Sequence, residues 1–571
     1  MNPRGRGFLR LWYVFCILLA VFTYFYGLGS LHIPKNGDEY VYAHITRLTA
    51  HSGHLLPLQS LQIDMRNTKP PLLFWQGIAS TDWTKNWNLF NLRYPSVLYT
   101  LLVGLMVFLL TRKYTGQFET ALLASITYFS FFNVYRYGRP FLTEAPMSFW
   151  TFLPFFMFLF WQPIALESRV IMPVLLGLGL GVALLYKSFV LAAPVSLAFS
   201  WWYLAHRRYS VKTFLAKDFG KVILMAFVSL ALFSIWFLLD PDPGGVFREF
   251  VIGENFSRFQ PQGVGYLTKL LVGNNSIWAL ALGYPINAGL MALPVVALFW
   301  VSSRRRPEFS ETEKMLWILI ITMFVFFSIP SMRSSRYLLP AMPAVAILCV
   351  LNWQRITRKV FIIALLLAAA VIAGFSYLSL RLQFSLGGMH MFSPIYWLLL
   401  AFTFIVLLVA LFVPEFTRGA VPGVSLLLCL SLAVALRPLD GPLGQYSAAA
   451  QQYASGKQVW VPCNFRAVDE GYRFLLPGAD IHGYRDDKNI TLDALDDRYA
   501  MFAIRQPLSS AVEPAGLRLI GQRLEIRSRH TPAELKDMLR GNVFNQLFVR
   551  EILVEVPGAE PVAHPVDDGC R

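Results

Sequence analysis

Six short segments hold the residues that could carry chemistry. Gly37-Asp38-Glu39-Tyr40 sets two acids side by side. Asn67-Thr68-Lys69-Pro70-Pro71-Leu72 places a lysine before two prolines, which bias it toward extended backbone. Arg136-Tyr137-Gly138-Arg139-Pro140 runs on into Phe141-Leu142-Thr143-Glu144. Tyr186-Lys187-Ser188, Glu254-Asn255-Phe256-Ser257-Arg258-Phe259 and Ser331-Met332-Arg333-Ser334-Ser335-Arg336-Tyr337-Leu338-Leu339-Pro340 complete the set. A carboxylate can take a proton from an attacking hydroxyl or stabilise an oxocarbenium-like transition state. Guanidinium and rigidly held ammonium groups suit phosphates. The candidate catalytic residues are Asp38, Glu39 and Glu144. The candidate substrate-binding residues are Lys69, Arg136, Arg139, Lys187, Asn255, Arg258, Arg333, Arg336 and Tyr337.

Each has a plainer reading beside the chemical one. Asp38 can cap a helix running through Tyr42, Ile45, Leu48 and Thr49, a spacing that suits a helix lying in the membrane interface. Lys69 can snorkel at a helix start. Glu144 heads an apolar run, where a helix N-terminus stabilises a carboxylate. What favours the chemical reading is that all six segments fall on one side of a membrane.

That sidedness comes from the elements around them. Of the 571 residues, 56% are hydrophobic and only 15% charged, against about 25% charged in ordinary soluble domains. This excludes a soluble enzyme, a disordered chain and a collagen, and leaves a polytopic α-helical membrane protein. The net charge of +16 needs no nucleic acid, because cytoplasmic loops collect Lys and Arg. Apolar runs of about membrane-spanning length lie near 11–30, 94–111, 120–135, 143–162, 170–187, 188–205, 221–239, 277–301, 315–331, 337–353, 359–380, 394–413 and 420–437, thirteen in all. Arg4, Arg6 and Arg10 put the N-terminus inside. Inner loops then carry Arg112 and Lys113, Arg207 to Lys221, Arg304 to Arg306, Arg355 to Lys359, and Arg418. The first run reads as an uncleaved anchor, since no small-residue cleavage site follows it. An odd number of spans places the tail outside, with loops 31–93 and 240–276.

The expected organisation is a transmembrane module over 1–437 and an extracytoplasmic α/β domain over 438–571. In the tail, Gln458–Pro462, Tyr499–Ile504 and Ile552–Val556 read as strands, and Thr531 to Leu539 as a helix with a capping box at Thr531 and Glu534. Five cysteines are too few for a disulfide scaffold. A Cys463–Cys570 bridge and two unpaired thiols fit the sequence equally; Cys16, Cys349 and Cys429 fall in spans and read as packing residues.

Together the six segments resemble the bacterial lipid A aminoarabinose transferase family. These are GT-C glycosyltransferases, a class that also includes protein O-mannosyltransferases. The acidic pair in the family's first outer loop is matched by Asp38-Glu39, its Lys-Pro-Pro by Lys69-Pro70-Pro71, and its second acid by Glu144, where relatives usually have Asp. Its lysine after the fifth span matches Lys187, its Asn/His-x-x-Arg-Phe element Asn255 to Phe259, and its Tyr-x-Leu-Pro after a basic pair Arg333, Arg336, Tyr337 and Pro340. The resemblance implies an inverting glycosyltransferase with a polyprenyl-phosphate sugar donor, undecaprenyl phosphate being the expected carrier. The acceptor would sit in the outer leaflet, such as a lipid A phosphate. It implies a bacterial inner-membrane protein whose C-terminal domain is periplasmic. Relatives often carry Glu before Lys-Pro-Pro and a metal near it; Thr68 stands there in this chain, so a divalent metal is admitted but not required.

Three other readings compete. One is a protein O-mannosyltransferase-like or other glycan-modifying activity. A second is a transporter or flippase for a lipid-linked sugar, which would place ionisable groups at mid-membrane and show repeated halves; neither is evident. A third is an inactive paralogue serving as a scaffold.

Overall fold

The computed structural model describes residues 3–33, 37–61, 66–258, 266–273, 275–304, 309–386, 391–485, 492–508, 516–527 and 530–563. Among them, eight helical segments are long and apolar enough to cross a membrane. They are Gly7–Phe25, Leu89–Thr115, Phe189–His206, Phe219–Leu239, Ile277–Arg304, Arg358–Ser385, Pro394–Phe412 and Pro414–Asp440. The chain is a membrane protein. The other five expected runs are also helical but shorter: Phe118–Phe129, Glu144–Phe160, Ile171–Tyr186, Glu311–Phe327 and Ser335–Leu351. Several are enclosed by other helices. Every residue of Met342–Val350 is buried, so its apolar character serves packing against protein rather than lipid.

The chain leaves the membrane module after Leu436 through a turn at Arg437–Asp440. Beyond it lie strands β1 (Gln458–Cys463), β2 (Asp480–Arg485), β3 (Met501–Pro507), β4 (Arg518–Ile526) and β5 (Phe548–Glu555). They form one mixed sheet in the order β2-β1-β3-β5-β4. β1 pairs in parallel with β2 and β3, and β5 runs antiparallel to β3 and β4. Sequence patterning anticipates β1, β3 and β5, whose residues are mostly buried. It misses β2 and β4, which carry Asp480, Arg485, Arg518, Arg523 and Glu525 and lack the alternation that marks a half-buried strand. The capping box at the Pro532–Leu539 helix is present: Glu534 N donates to Thr531 Oγ1 at 3.3 Å and Thr531 N to the Glu534 carboxylate at 2.7 Å. Cys463 is disulfide-bonded, while Cys16, Cys349 and Cys429 are buried free thiols. Cys570 lies outside the described residues.

Side-chain alternation along β1 explains how this domain meets the bundle. Val459 and Val461 join a core with Tyr40, Val41, Leu73, Phe74, Tyr472 and Leu475, whereas Trp460 points to the opposite face with Phe502, Ile504 and Ile552. One sheet face therefore packs onto the Gly37–His51 helix. That helix is buried on nearly every side, between Leu72–Ser80 and Val468–Gly471. It is not the interfacial helix that its apolar spacing suggests, because the C-terminal domain covers it.

Candidate functional site

Asp38 lies in the first turn of the Gly37–His51 helix, at the edge of the contact between bundle and C-terminal domain. Its Oδ2 is 3.1 Å from Arg336 Nη1. Arg336 Nε in turn lies 3.8 Å from Glu144 Oε1, and the same Glu144 oxygen is 3.1 Å from Lys187 Nζ. Lys187 also donates to Thr143 Oγ1 at 2.9 Å. Four charged residues from four distant segments thus form one alternating chain, Asp38, Arg336, Glu144, Lys187. Glu144 is its buried centre, 4% exposed, while Asp38 at 39% and Arg336 at 27% open to solvent.

Local structure fixes these positions. Glu144 begins a helix, so its carboxylate sits at the positive end of the helix dipole. Tyr137 lies beside both arginines of its end, with Arg136 at 5.2 Å and Arg336 at 5.3 Å from its ring centroid, an attraction to the π face. The turn carrying Arg136 and Tyr137 approaches the Leu89–Thr115 helix closely at Gly138. A Cβ there would lie 2.6 Å from Thr100 Oγ1 and 2.5 Å from Val134 O, so only glycine fits.

The ion-pair chain separates two spaces. On one side, a cavity of about 790 Å³ between bundle and C-terminal domain is lined by Asp38, Arg136, Tyr137 and Arg336 from the bundle, and by Arg466 and Arg505 among others from the domain. On the other, an apolar groove of about 640 Å³ is lined by Phe189, Val190, Ala192, Ala226, Leu230 and Phe326. Asn255 and Val190 belong both to this groove and to a small cavity that includes Lys187 and Tyr337. Lys187 therefore stands where the greasy groove ends and the ion-pair chain begins. Tyr337 is packed against Phe327 with ring centroids 5.2 Å apart.

Lys69 lies elsewhere in the same region. Its Nζ is 2.6 Å from Glu254 Oε1 and 6.0 Å from the Tyr42 ring centroid. The π-helical segment Phe247–Asn255 supplies Glu249 and Glu254. Glu249 accepts from Arg66 Nε at 3.0 Å and from Asn67 Nδ2 at 3.0 Å, and Arg66 also pairs with Asp242. The two outer loops are stitched together by these contacts. Asn255 is held by Ser188 Oγ, which donates to Oδ1 at 2.7 Å, and by donating from Nδ2 to Phe250 O at 2.8 Å.

Three candidates depart from the expectation. Glu39 is 1% exposed; its oxygens lie 2.7 Å from Arg93 Nε and 2.7 Å from Arg93 Nη2, and Phe141 N donates to it at 2.7 Å. Arg139 is fully buried and donates to Tyr24 O at 3.0 Å, to the Tyr135 hydroxyl at 2.6 Å and to Tyr26 O. Arg333 is buried and donates to Ser328 O at 2.8 Å and Asn275 O at 2.7 Å. All three hold backbone segments together and do not line the cavity; a buried charge needs such partners wherever it stands. The Arg258 side chain lies outside the described residues, as does Phe259.

His44, Asp469 and Glu470 are the group among the described residues with metal-ligand spacing. The donor set does not fit a cation. Arg47 already holds both Glu470 oxygens, at 2.8 and 3.0 Å, and His44 Nε2 accepts from Leu61 N at 3.3 Å. The cluster instead clamps the C-terminal domain to the Gly37–His51 helix. Burial, then the Glu470 charge, push the Asp469 carboxyl up to about 6. Burial opposes ionisation of Glu470 as well, but Arg47 and His44 outweigh it and hold its carboxyl well below the usual range.

Comparison with known proteins follows this geometry. The chain superimposes on ArnT from Cupriavidus metallidurans bound to undecaprenyl phosphate, with a TM-score of 0.63 and 17% identity, over 96% of this chain and 99% of that one. The apo form of the same protein gives a TM-score of 0.57. This chain shares the fold of that protein. Residues 9–243 match the family model of dolichyl-phosphate-mannose-protein mannosyltransferases. An undecaprenyl phosphate-alpha-4-amino-4-deoxy-L-arabinose arabinosyl transferase of Proteus mirabilis is 28% identical over 58% of this chain. An Erwinia tasmaniensis arabinosyl transferase is 26% identical over 58%. The chain spans 58% of the length of each of these two relatives.

Within this fold, what sequence reading misses is the partners of the candidate residues. Arg93 and Glu254 neutralise Glu39 and Lys69 from 54 and 185 residues away. Arg466, Arg505 and Arg523 reach the cavity from the C-terminal domain. Arg505 and Arg523 lie in strands and Arg466 in the turn after β1; their one sequence signal is basic residues in a polar domain, which by itself reads as ordinary surface.

Proposed function

We propose that this chain is an inverting glycosyltransferase that moves a sugar from a polyprenyl-phosphate donor, with undecaprenyl phosphate as carrier, to an outer-leaflet acceptor such as a lipid A phosphate. The observation that carries the reading is the ion-pair chain from Asp38 to Lys187, set between an apolar groove and a polar cavity. A lipid-linked sugar phosphate has this amphipathic form: the prenyl tail takes the groove, the phosphate meets Lys187 and Arg336, and the sugar faces Asp38. The acceptor enters from the polar cavity.

In the reaction, an acceptor oxygen attacks the anomeric carbon as the bond to the donor phosphate breaks, and the configuration inverts. Arg336 and Lys187 stabilise the charge that develops on the leaving phosphate. Glu144, buried between them, fixes both cations in place. Asp38 takes the proton of a hydroxyl acceptor, or orients a phosphate acceptor that is already ionised. Lys69 serves as a further phosphate contact once Glu254 is exchanged for substrate. No step is routed through a metal, and a divalent ion is left as an addition that Thr68 does not favour. The names of the relatives support aminoarabinose as the sugar. We place the site and C-terminal domain on the periplasmic side of a bacterial inner membrane, with the N-terminus in the cytoplasm. Lys and Arg at the opposite end of the bundle support that orientation.

Mass spectrometry of lipid A from cells with the protein, without it, and with Asp38→Asn tests this. A sugar-sized increment seen only with the intact protein is expected. An unchanged profile, with the protein confirmed in the membrane, would overturn lipid A as acceptor.

A further inference from the structure

The arginines of the cavity between bundle and domain are of two kinds. Arg505 and Arg523 are neutralised within the domain: Arg505 Nε lies 2.7 Å from Glu525 and 3.1 Å from Glu551, and Arg523 Nε lies 2.6 Å from Glu551. Arg336 is neutralised by Asp38 and Glu144. Arg136 and Arg466 differ. Both line the cavity, yet neither has a carboxylate partner among the described residues; each rests only against an aromatic ring, Tyr137 and Phe465 respectively. Arg466 reaches the reacting end of the site. Its Nη1 lies 3.3 Å from where a Cβ on Gly37 would stand, beside Asp38.

Two guanidinium groups from separate domains, facing one polar space with no carboxylate partner of their own among the described residues, leave positive charge uncompensated there. We propose that Arg136 and Arg466 form an anion subsite that seats a phosphate monoester of the acceptor headgroup. The C-terminal domain thereby takes part in acceptor recognition through Arg466. The inference rests on the glycosyltransferase reading above. The donor phosphate is the other source of such an anion, but its tail groove reaches the site on the far side of Glu144, past Lys187 and Asn255. The cavity that holds Arg136 and Arg466 is lined chiefly by polar and charged groups, with apolar residues such as Leu31 and Val468 interspersed, whereas the groove beyond Lys187 is almost wholly apolar. Guanidinium matches phosphate with paired, charge-assisted hydrogen bonds, which lysine cannot reproduce.

The test is equilibrium binding to the purified full-length chain in nanodiscs, with diphosphoryl lipid A, its dephosphorylated form and undecaprenyl phosphate as separate probes. Arg136→Gln and Arg466→Gln are each expected to weaken diphosphoryl lipid A binding about tenfold. Undecaprenyl phosphate binding should stay unchanged, which also shows that the variants are folded. The dephosphorylated lipid should bind wild type and variants alike. Lipid A affinity that survives both substitutions overturns the subsite. An equal loss toward undecaprenyl phosphate overturns it too, by giving these arginines to the donor. Wild type that binds undecaprenyl phosphate but no lipid A would end the lipid A acceptor reading and the subsite with it. Wild type that binds lipid A but no undecaprenyl phosphate would end the donor reading and leave the subsite standing.

Discussion

Asp38 and Glu39 are adjacent in the chain, yet their carboxylates answer to different arginines in different environments: Asp38 meets Arg336 at 3.1 Å at the edge of the cavity, and Glu39 is gripped by buried Arg93 at 2.7 Å. Successive residues on a helix point about 100° apart, so one acid faces the cavity while the other faces the packed interior. Arg93 also donates to Leu28 O at 2.9 Å and Ser30 O at 2.5 Å, so the pair ties the turn after the first helix, the Gly37–His51 helix and Phe141 into one unit.

The two acids should therefore fail differently. Asp38→Asn is expected to lower turnover by roughly 10²–10⁴-fold, with yield and Tm retained. Glu39→Gln leaves Arg93 buried without its counter-charge, a cost of about 3–5 kcal/mol, and should show first as a fall in Tm. Activity assays paired with thermal unfolding of both variants separate the roles. A Glu39→Gln protein of normal Tm and no activity would return Glu39 to the chemistry.

Glu144 carries two cations at once, Arg336 and Lys187. Removing its charge should disturb both. Glu144→Gln is expected to reduce kcat at least tenfold with saturating donor. Arg336→Lys should also lose turnover, because a point charge cannot span Asp38 and Glu144 as a guanidinium does. Wild-type kcat in either variant would detach this chain from catalysis.

The apolar groove makes a prediction about chain length. Ala226 lines it, and Ala226→Trp would fill part of its roughly 640 Å³. The KM for a long polyprenyl donor should rise several-fold more than that for a short prenyl analogue, since each buried CH₂ is worth about 0.8 kcal/mol. Equal effects on both donors would place the tail elsewhere.

Asp469 makes stability depend on pH in a window of its own. Its carboxyl is raised from 3.8 to about 6 by burial, then by Glu470. The folded chain holds this proton more tightly than the unfolded one. Its contribution to stability is thus full below the unfolded value and is lost as pH rises through about 6. Glu470 works the other way, and its titration is shared by wild type and an Asp469 variant, so the difference between the two proteins reports Asp469. Asp469→Asn should come closest to wild type at about pH 3.5, below the unfolded value, and unfold at a higher temperature than wild type near pH 8. The check is Tm at both values, and an equal fall with pH in the two proteins would count against it.

Much of this protein was legible from residue types and spacing. Apolar runs predict helices because a hydrocarbon core rewards nothing else. The six polar segments, including Asp38, Glu144, Lys187 and Arg336, stand out because ionisable groups are costly near a membrane and must be explained there. The Thr531–Glu534 cap is a purely local pattern and reads directly. Strands β2 and β4 did not read, because their polar residues pair with neighbouring strands, and such partners leave no trace in local periodicity.

What only the tertiary structure decided is which charges meet. Sequence places Arg139 and Arg333 beside Arg136 and Arg336 as equals, but burial gives the first pair to backbone carbonyls and leaves the second pair facing the cavity. It likewise cannot show that Arg466 returns to Gly37 from more than 400 positions along the chain. Local sequence fixes the kind of group and the end of the bundle at which it lies, since those depend on hydropathy and helix period. Whether a cation is a strut or a ligand depends on its solvation and its nearest counter-charge, and packing between distant segments sets both.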